Sequence, residues 1–208
     1  MIKIGWDLDG VIMHTQPMFR AMIYNRFKTY DVDHKDDRGN VLFKYAVEGE
    51  SDQKVWNVIH EVLRNYQPFC EPVYEAMYVI HEIWHITHQP LTIITARPKD
   101  VERQTHEWLE ANLDCDYDLY IVDPPKNGQS PDKNVKSVLV DELELDWFVE
   151  DRFKYASQIA KECEGIERIY LLNREYNRGR RTAEKVKRVD NLFVVLSDLQ
   201  ERLTFGTT

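Results

Sequence analysis

The stretch IKIGWDLDGVIMH, residues 2–14, places Asp7 and Asp9 directly after a short apolar run. Residues 2–8 have the composition of a buried β-strand. Two acids and a glycine at the end of such a strand are compatible with a turn, a metal site or a nucleophile. The remainder of the sequence has to decide between them.

Apolar strands alternate with amphipathic helices over most of the chain. The predicted strands are 2–8, 91–95, 117–122, 146–150, 168–172 and 191–196. The predicted helices are 17–30, 52–66, 72–89, 99–111, 132–143, 153–163 and a final helix after residue 196. This alternation predicts an α/β fold with a parallel sheet that is covered by helices on both faces.

Residues 14–75 interrupt the alternation, because they read as helices and loops without a clear strand. We therefore expect a core formed by residues 1–13 and 76–208, with 14–75 as a small helical cap inserted after the first strand. In this cap, Ser51 is expected to cap the helix that follows it.

The composition restricts the functional classes. The 208 residues carry a formal charge of −9, which argues against nonspecific binding to nucleic acid or to an anionic membrane. The three cysteines lack the spacing of a zinc-thiolate site and suit a reducing compartment. With neither a secretory signal nor a membrane-spanning segment recognisable, the sequence predicts a cytoplasmic protein.

Polar groups follow several of the predicted strands. They lie in residues 7–10, 95–98 and 150–152, and lysines lie in the segment 132–137. The carboxyl ends of parallel strands meet at one edge of the sheet, where α/β proteins place their functional groups. We expect acids, a hydroxyl and a lysine to come together there.

That set of groups suits phosphoryl transfer. Asp7 and Asp151 can hold Mg²⁺, a cation that prefers oxygen ligands and screens a carboxylate from a phosphate. One carboxylate of the first motif can attack phosphorus, while the other moves the protons. Thr95 and a lysine can orient the phosphoryl oxygens.

The motifs DLDGVI, IITAR, a downstream lysine and FVEDR resemble, in order and spacing, the four motifs of the haloacid dehalogenase (HAD) superfamily. The resemblance covers the chain outside the cap and implies a Rossmann-like fold. It implies that Asp7 is the nucleophile and Asp9 the general acid/base. Phosphatases of the superfamily keep the second aspartate, which dehalogenases lack, so Asp9 favours phosphate ester hydrolysis.

The resemblance also implies the binding residues. Mg²⁺ would be held by Asp7, the Asp9 backbone carbonyl and Asp151, with Glu150 acting through water. The implied phosphate- and substrate-binding residues are Gly10, Thr95, Ala96, Arg97 and Lys136. Arg97 has an open alternative as a structural ion pair.

Two lysines are candidates for the anchor of nucleophile and phosphate. In relatives with ED in the last motif, the lysine lies about fourteen residues before the glutamate. Lys136 stands at that distance from Glu150, whereas Lys133 is three residues further. The resemblance therefore favours Lys136 and leaves Lys133 as a surface lysine.

The segment after the last motif resembles the 5'(3')-deoxyribonucleotidase-like group, in which ED leads to a strand and a turn like NREYN. This implies a small phosphorylated substrate, a nucleoside monophosphate. A phosphatase for nucleic-acid 3' ends, or for another small metabolite, is the alternative. The basic cluster at 174–188 would suit a nucleic-acid end, or be a solvated loop.

Two further hypotheses belong to other classes. HEIWH, with His81, Glu82 and His85, matches the zinc-peptidase pattern, although no convincing third ligand follows. A solvated helix face is the alternative for these residues. A silent binding module with the same fold would have no need of Asp9.

Overall fold

The computed structural model describes residues 2–29, 33–35, 41–45, 47–122, 135–177 and 181–205. The strands are β1 (Ile4–Trp6), β2 (Asp33–Lys35), β3 (Val41–Tyr45), β4 (Leu91–Thr95), β5 (Tyr117–Ile121), β6 (Trp147–Glu150), β7 (Arg168–Leu172) and β8 (Val186–Val189). The α-helices are α1 (Gln16–Phe27), α2 (Asp52–Asn65), α3 (Tyr74–Thr87), α4 (Glu102–Asn112), α5 (Val135–Glu142), α6 (Phe153–Glu162) and α7 (Phe193–Phe205). Short 3-10 helices occupy Gln67–Phe69, Lys99–Val101 and Glu175–Asn177.

The main sheet has six strands in the order β5-β4-β1-β6-β7-β8, and all of its pairings are parallel. β1 lies between β4 and β6, so the chain winds outward from it in both directions. Crevices for ligands open at such a switch point, beyond the carboxyl ends of the strands. The structure confirms the predicted α/β fold with a parallel sheet.

Both faces of the sheet are buried. One face packs on the apolar sides of α3 and α7, and the other on α5 and α6. Every residue of β1 and β6 is buried, as expected for central strands covered on both sides. These strands therefore hold the residues that follow them in fixed positions.

The predicted strand at 191–196 is wrong. α7 begins at Phe193, and the last strand is β8, earlier in the chain. The buried residues of the run, Leu192, Val195, Leu196 and Leu199, have the i, i+3, i+4, i+7 spacing of a helix face. An apolar run of this length does not distinguish a strand from a buried helix until the packing is known.

The region 14–75 also differs from its predicted description. β2 and β3 form a separate two-stranded antiparallel sheet between α1 and α2, so the region is not purely helical. Ser51 stands at the N-cap of α2 but makes no side-chain capping bond. The buried face of α2 consists of Val55, Val58, Ile59, Val62 and Leu63.

The two ends of the region meet where it leaves and rejoins the core. The His14 N–H donates to the Glu71 carbonyl at 2.8 Å, and the Val73 N–H donates to the Ile12 carbonyl at 2.8 Å. The outgoing and returning chains therefore lie side by side. This geometry agrees with an insertion, and we propose that the predicted cap boundaries hold to within a few residues.

None of the helices in the described part of the chain has the length and apolar character needed to cross a membrane.

Candidate active site

The carboxyl edge of the sheet brings together groups from three neighbouring strands. Asp7 directly follows β1, Thr95 ends β4 and Glu150 ends β6. The Asp7 N–H donates to the Val149 carbonyl at 2.9 Å, which fixes the backbone at the first aspartate. All three side chains are buried.

Lys136 reaches this edge from α5. Its Nζ lies 2.7 Å from Asp7 Oδ1 and 2.8 Å from Glu150 Oε2, and its side chain is only 1% exposed. Although burial favours the neutral amine, the two carboxylates outweigh it and raise the pKa of Lys136 above its ordinary value. Lys136 is therefore a fixed ammonium beside Asp7. The rival Lys133 lies outside the described residues.

Glu150 is held from both sides. Besides the contact with Lys136, its Oε1 accepts the backbone N–H groups of Asp151 and Arg152, both at 3.0 Å. Burial raises the pKa of Glu150 above its usual value, and the negative charge of Asp151 raises it further. The carboxylate is thus oriented by the chain and is fully buried.

One carboxylate oxygen of Asp151 receives no hydrogen bond from the described residues. Oδ2 accepts a very short hydrogen bond from the Tyr176 hydroxyl, whereas the buried Oδ1 has no hydrogen-bond partner among the described residues. Asp7, Glu150 and Asp151 each offer an oxygen within 4.8 Å of the others. An unpaired buried carboxylate oxygen is costly unless it binds a cation.

The electrostatics of these acids also suit a cation. Burial, and next the charge of Glu150, raise the pKa of Asp7 to about 7. Burial, and next the charge of Asp7, raise the pKa of Asp151 to about 6. The positive charges of Lys136 and the neighbouring Arg152 offset part of the negative charge of these three carboxylates. The residues therefore fit a hard divalent ion such as Mg²⁺.

Asp9 faces a different partner. Arg97 donates from Nε to Asp9 Oδ2 at 2.8 Å and from Nη2 to Oδ1 at 2.7 Å. Burial would raise the pKa of Asp9, but this bidentate pair outweighs it and holds the pKa below its ordinary value. Arg97 is 1% exposed and also donates to the Thr105 hydroxyl at 3.0 Å. All of these contacts agree with the ion-pair alternative for Arg97, rather than with direct substrate binding.

Two predicted phosphate-binding groups lie beside Asp7 on the β4 side. The Thr95 hydroxyl is buried and has no hydrogen-bond partner in the described part of the chain. Ala96 follows it and lines the same cleft as Asp7 and Lys136. An unsatisfied hydroxyl beside a carboxylate is placed to donate to an anionic oxygen.

Gly10 is required by the backbone. Its φ is +85°, and a Cβ at this position would lie 2.1 Å from Asp151 Oδ2. Its carbonyl accepts the Arg174 Nη2 at 2.7 Å. A side chain would therefore collide with the acidic cluster, in a conformation that L residues rarely adopt.

Sequence reasoning did not assign site roles to the turn after β7. In this turn, Tyr176 binds the Asp151 carboxylate and Arg174 binds the Gly10 carbonyl. The Asn177 amide donates to the Asp151 carbonyl at 2.6 Å and to the Leu172 carbonyl at 2.8 Å. The position of the turn at the carboxyl end of a strand was the available signal.

A cleft opens in front of Asp7, between the sheet edge and helices α1 and α2. It contains about 910 Å³ of empty space including its open mouth. Phe19, Trp56 and Tyr155 line it together with aliphatic residues of α2. Trp56 remains 45% exposed, so this aromatic face is available to a ligand.

The competing motifs lie elsewhere. His81 and His85 are on α3, and neither lines the cleft. Much of the basic cluster is used within the protein. Lys185 donates to the carbonyls of Cys163 and Glu164, and Lys187 pairs with Asp198. These contacts favour a structural role for the two lysines over nucleic-acid binding.

Comparisons with known proteins identify similar sequences and similar folds. No family model matches the chain. A protein named "Putative nucleotidase OB0422" from Oceanobacillus iheyensis is 22% identical over 191 residues, which cover 89% of this chain and 94% of that protein.

Solved structures share the fold. A "putative beta-phosphoglucomutase" from Thermotoga maritima aligns with a TM-score of 0.57 and 20% identity, covering 97% of this chain and 99% of that one. A hydrolase of the haloacid dehalogenase-like family from Xanthomonas campestris aligns with a TM-score of 0.55 and 12% identity, covering 96% and 95%. The similarity thus spans the whole described chain. The fold implied by the four motifs is confirmed, because the chain has the fold of the HAD-family hydrolases.

Proposed function

We propose that the chain is a Mg²⁺-dependent phosphomonoesterase that forms an aspartyl-phosphate on Asp7 and hydrolyses nucleoside monophosphates. One observation carries the proposal: Asp7, Lys136 and the unsatisfied Thr95 hydroxyl converge at the mouth of a cleft, beside an acidic cluster with an unpaired oxygen. The HAD-type fold and the similarity to a protein named as a nucleotidase support it.

In the first step, an Asp7 carboxylate oxygen attacks phosphorus and the bond to the ester oxygen breaks. Lys136 favours the ionised form of Asp7 and stabilises charge on the phosphoryl oxygens, and the Thr95 hydroxyl donates to one of them. Asp9, which takes up a proton in the substrate complex against the pull of the Arg97 pair, gives that proton to the leaving oxygen. The products are the free alcohol and phosphorylated Asp7.

In the second step, water attacks phosphorus and the bond to the Asp7 oxygen breaks. Asp9, now a carboxylate, accepts the proton from this water, and inorganic phosphate leaves. The Arg97 pair stabilises this base form and fixes the orientation of the Asp9 carboxylate. Asp7 and Asp9 return to their starting states.

Asp7, Asp151, the Asp9 carbonyl and Glu150, the last through water, are the residues proposed to hold Mg²⁺. The ion, when bound, neutralises negative charge between the carboxylate and the phosphate.

The cleft supports a nucleotide as substrate. Trp56 and Tyr155 offer aromatic faces, and an aromatic ring stacks on a planar base at low entropic cost. Lys185 and Lys187 of the basic cluster contact groups of the protein itself. These contacts favour a mononucleotide over a nucleic-acid end as the substrate.

A substrate screen tests the proposal. Nucleoside monophosphates, sugar phosphates and 3'-phosphorylated oligonucleotides are assayed for released phosphate. We expect kcat/KM to be highest for a nucleoside monophosphate. Trp56→Ala should raise KM about tenfold for nucleotides and leave that of p-nitrophenyl phosphate unchanged, because one stacked ring contributes on the order of 1–3 kcal/mol. A higher kcat/KM for the oligonucleotide would reassign the substrate.

Asp7→Asn tests the covalent step. The amide has the shape of the carboxylate and still meets Lys136 through its oxygen, so the variant should fold. We expect phosphate release to fall below about 10⁻³ of the wild-type rate, with an unchanged circular dichroism spectrum. Rapid-quench labelling with ³²P-substrate should mark the wild-type protein and not the variant.

A further inference from the structure

The HEIWH motif has a geometry that the proposed phosphatase does not use. His81 and His85 are one turn apart on α3, and their Nε2 atoms lie 3.0 Å apart. The two rings are nearly perpendicular, with centroids 4.3 Å apart. The two Nε2 atoms thus share a hydrogen bond beside the helix, with one ring donating and the other accepting.

A carboxylate lies on the far side of the first ring. Asp114 Oδ2, in the segment between α4 and β5, is 3.1 Å from His81 Nδ1. A carboxylate beside Nδ1 favours the proton on that nitrogen and leaves the lone pair on Nε2. The contact is within ion-pair distance but lacks hydrogen-bond geometry, because the buried Nδ1 has no hydrogen-bond partner in the described part of the chain.

We propose that His81 and His85 form a binding site for a divalent transition-metal ion of the nickel or copper type. Metal–nitrogen bonds of about 2.0–2.1 Å to two nitrogens 3.0 Å apart subtend about 95° at the ion. This angle suits neighbouring positions of an octahedral or square-planar ion better than the tetrahedral angle of zinc. His85 presents its lone pair when its proton moves from Nε2 to Nδ1.

The site is not that of a peptidase. In the described part of the chain, the one group of three possible ligand residues is Asp7, Glu150 and Asp151, so the histidine pair has no third protein ligand of this kind. Water completes the coordination. Because Asp114 contacts His81, a bound ion also ties α3 to the segment before β5. Imidazole ligands, rather than carboxylates, set the preference for nickel or copper over magnesium.

Titration of Ni²⁺ into the intact, untagged chain, with Mg²⁺ in excess, tests the proposal. Calorimetry should show one site, and His85→Ala should weaken it at least tenfold. His81→Ala should do the same. His88→Asn is the matched control, because His88 is on the same helix end at φ +53°, a conformation that asparagine tolerates. We expect it to bind as the wild type does.

Two readouts separate the possible outcomes. Paramagnetic Ni²⁺ should broaden the imidazole NMR signals of His81 and His85 and spare those of His60 and His106. Because His85 is exposed, its alanine variant should fold and keep full phosphatase turnover. Wild-type affinity in His85→Ala, loss of the site in Asp151→Asn, or the absence of any nickel binding would each overturn the proposal. None of these outcomes depends on the phosphatase activity.

Discussion

Lys136 is the cation on which the buried carboxylates of the cleft depend. Its ammonium contacts Asp7 from β1 and Glu150 from β6, so one side chain offsets two acids on neighbouring strands. Removing one member of a buried ion pair leaves the other charge uncompensated, at a cost of roughly 3–5 kcal/mol. Lys136 therefore contributes to stability as well as to the proposed chemistry.

We expect Lys136→Met to lower Tm by about 10 °C, because a loss of that size shifts a domain of this length by roughly 2–4 °C per kcal/mol. Phosphate release should be abolished. Lys133→Met, the rival anchor, should change Tm and turnover little. Differential scanning calorimetry and a turnover assay measure both. Adding Glu150→Gln to Lys136→Met should recover part of the Tm but no turnover; a larger effect at Lys133 would assign the anchor there.

Arg97 binds Asp9, the proposed general acid/base. Its two bonds to Asp9 fix the carboxylate, so Arg97→Met should misplace the acid that protonates the leaving group. We expect turnover of nucleotides, which have a poor alkoxide leaving group, to fall about 10²-fold. Turnover of p-nitrophenyl phosphate, which needs no proton, should fall much less.

Two variants control that experiment. Thr105→Val removes the third contact of Arg97 but leaves the Asp9 pair intact, so both substrates should be turned over nearly as by the wild type. Arg97→Lys can keep only one of the two hydrogen bonds to Asp9. Its turnover of nucleotides should lie between those of the wild type and Arg97→Met. An equal loss for both substrates in Arg97→Met would argue for a contact with the phosphate instead.

At the scale of elements, the connection from β4 to α4 links the site to the inserted region. Thr95 and Arg97 are at its start, and Val101 packs into the same apolar cluster as α1 and α2. Asp100 contacts α2 through His60, at 2.9 Å, and through Arg64. These contacts therefore join α2 to the segment that carries Thr95 and Arg97.

We expect Asp100→Asn to lower Tm by about 1–3 °C, because exposed ion pairs contribute roughly 0.2–1 kcal/mol. KM for nucleotides should rise, since α2 carries Trp56, while kcat stays unchanged. The bond to His60, and then that to Arg64, hold the pKa of Asp100 below its usual value. The stabilisation is thus present above the unfolded-state pKa and is lost as pH falls, so the Tm difference should shrink in acid.

Glu107→Gln is the matched control for Asp100→Asn. It removes an exposed pair with Arg103 on α4, away from α2. Steady-state kinetics and thermal melts at several pH values distinguish the two variants. An unchanged KM in Asp100→Asn would show that the contact does not hold α2 over the substrate.

The elements that periodicity predicted well are those that are long or buried on both sides. Periodicity did not predict β8, because Lys187 and Arg188 occupy the middle of this short edge strand and charged edge strands lack an apolar pattern. The contacts of Asp9 with Arg97, and of Asp151 with Tyr176, join residues 88 and 25 positions apart. Motif spacing predicts which residues meet at the sheet edge, but not how their hydrogen bonds are shared.

Over the whole molecule, the net charge of −9 places the acidic cluster in a negative environment. Burial raises the pKa values of Asp7 and Asp151 to about 7 and about 6, from an ordinary 3.8. The folded chain therefore binds protons that the unfolded chain has already lost. Without a divalent ion, the free energy of unfolding should therefore fall as pH rises from 3.8 to about 7.

We expect Mg²⁺ to raise Tm at about pH 7.5 and to have little effect at about pH 4.5, where protons compete for the same oxygens. Chelation should also stop turnover, and Zn²⁺ should not restore it. Asp151→Asn should abolish the Mg²⁺-dependent rise, whereas Asp118→Asn, an exposed change on β5, should keep it. A Tm increase of equal size at both pH values would point to an ion held elsewhere.

The paired backbone at Ile12–His14 and Glu71–Val73 has a consequence for the history of such a chain. Because the outgoing and returning segments exchange hydrogen bonds at 2.8 Å, we propose that the inserted region is an exchangeable cassette whose length can change without moving β1 or α3. Exchange of that cassette between related chains should transfer substrate preference while leaving the phosphoryl chemistry where it is.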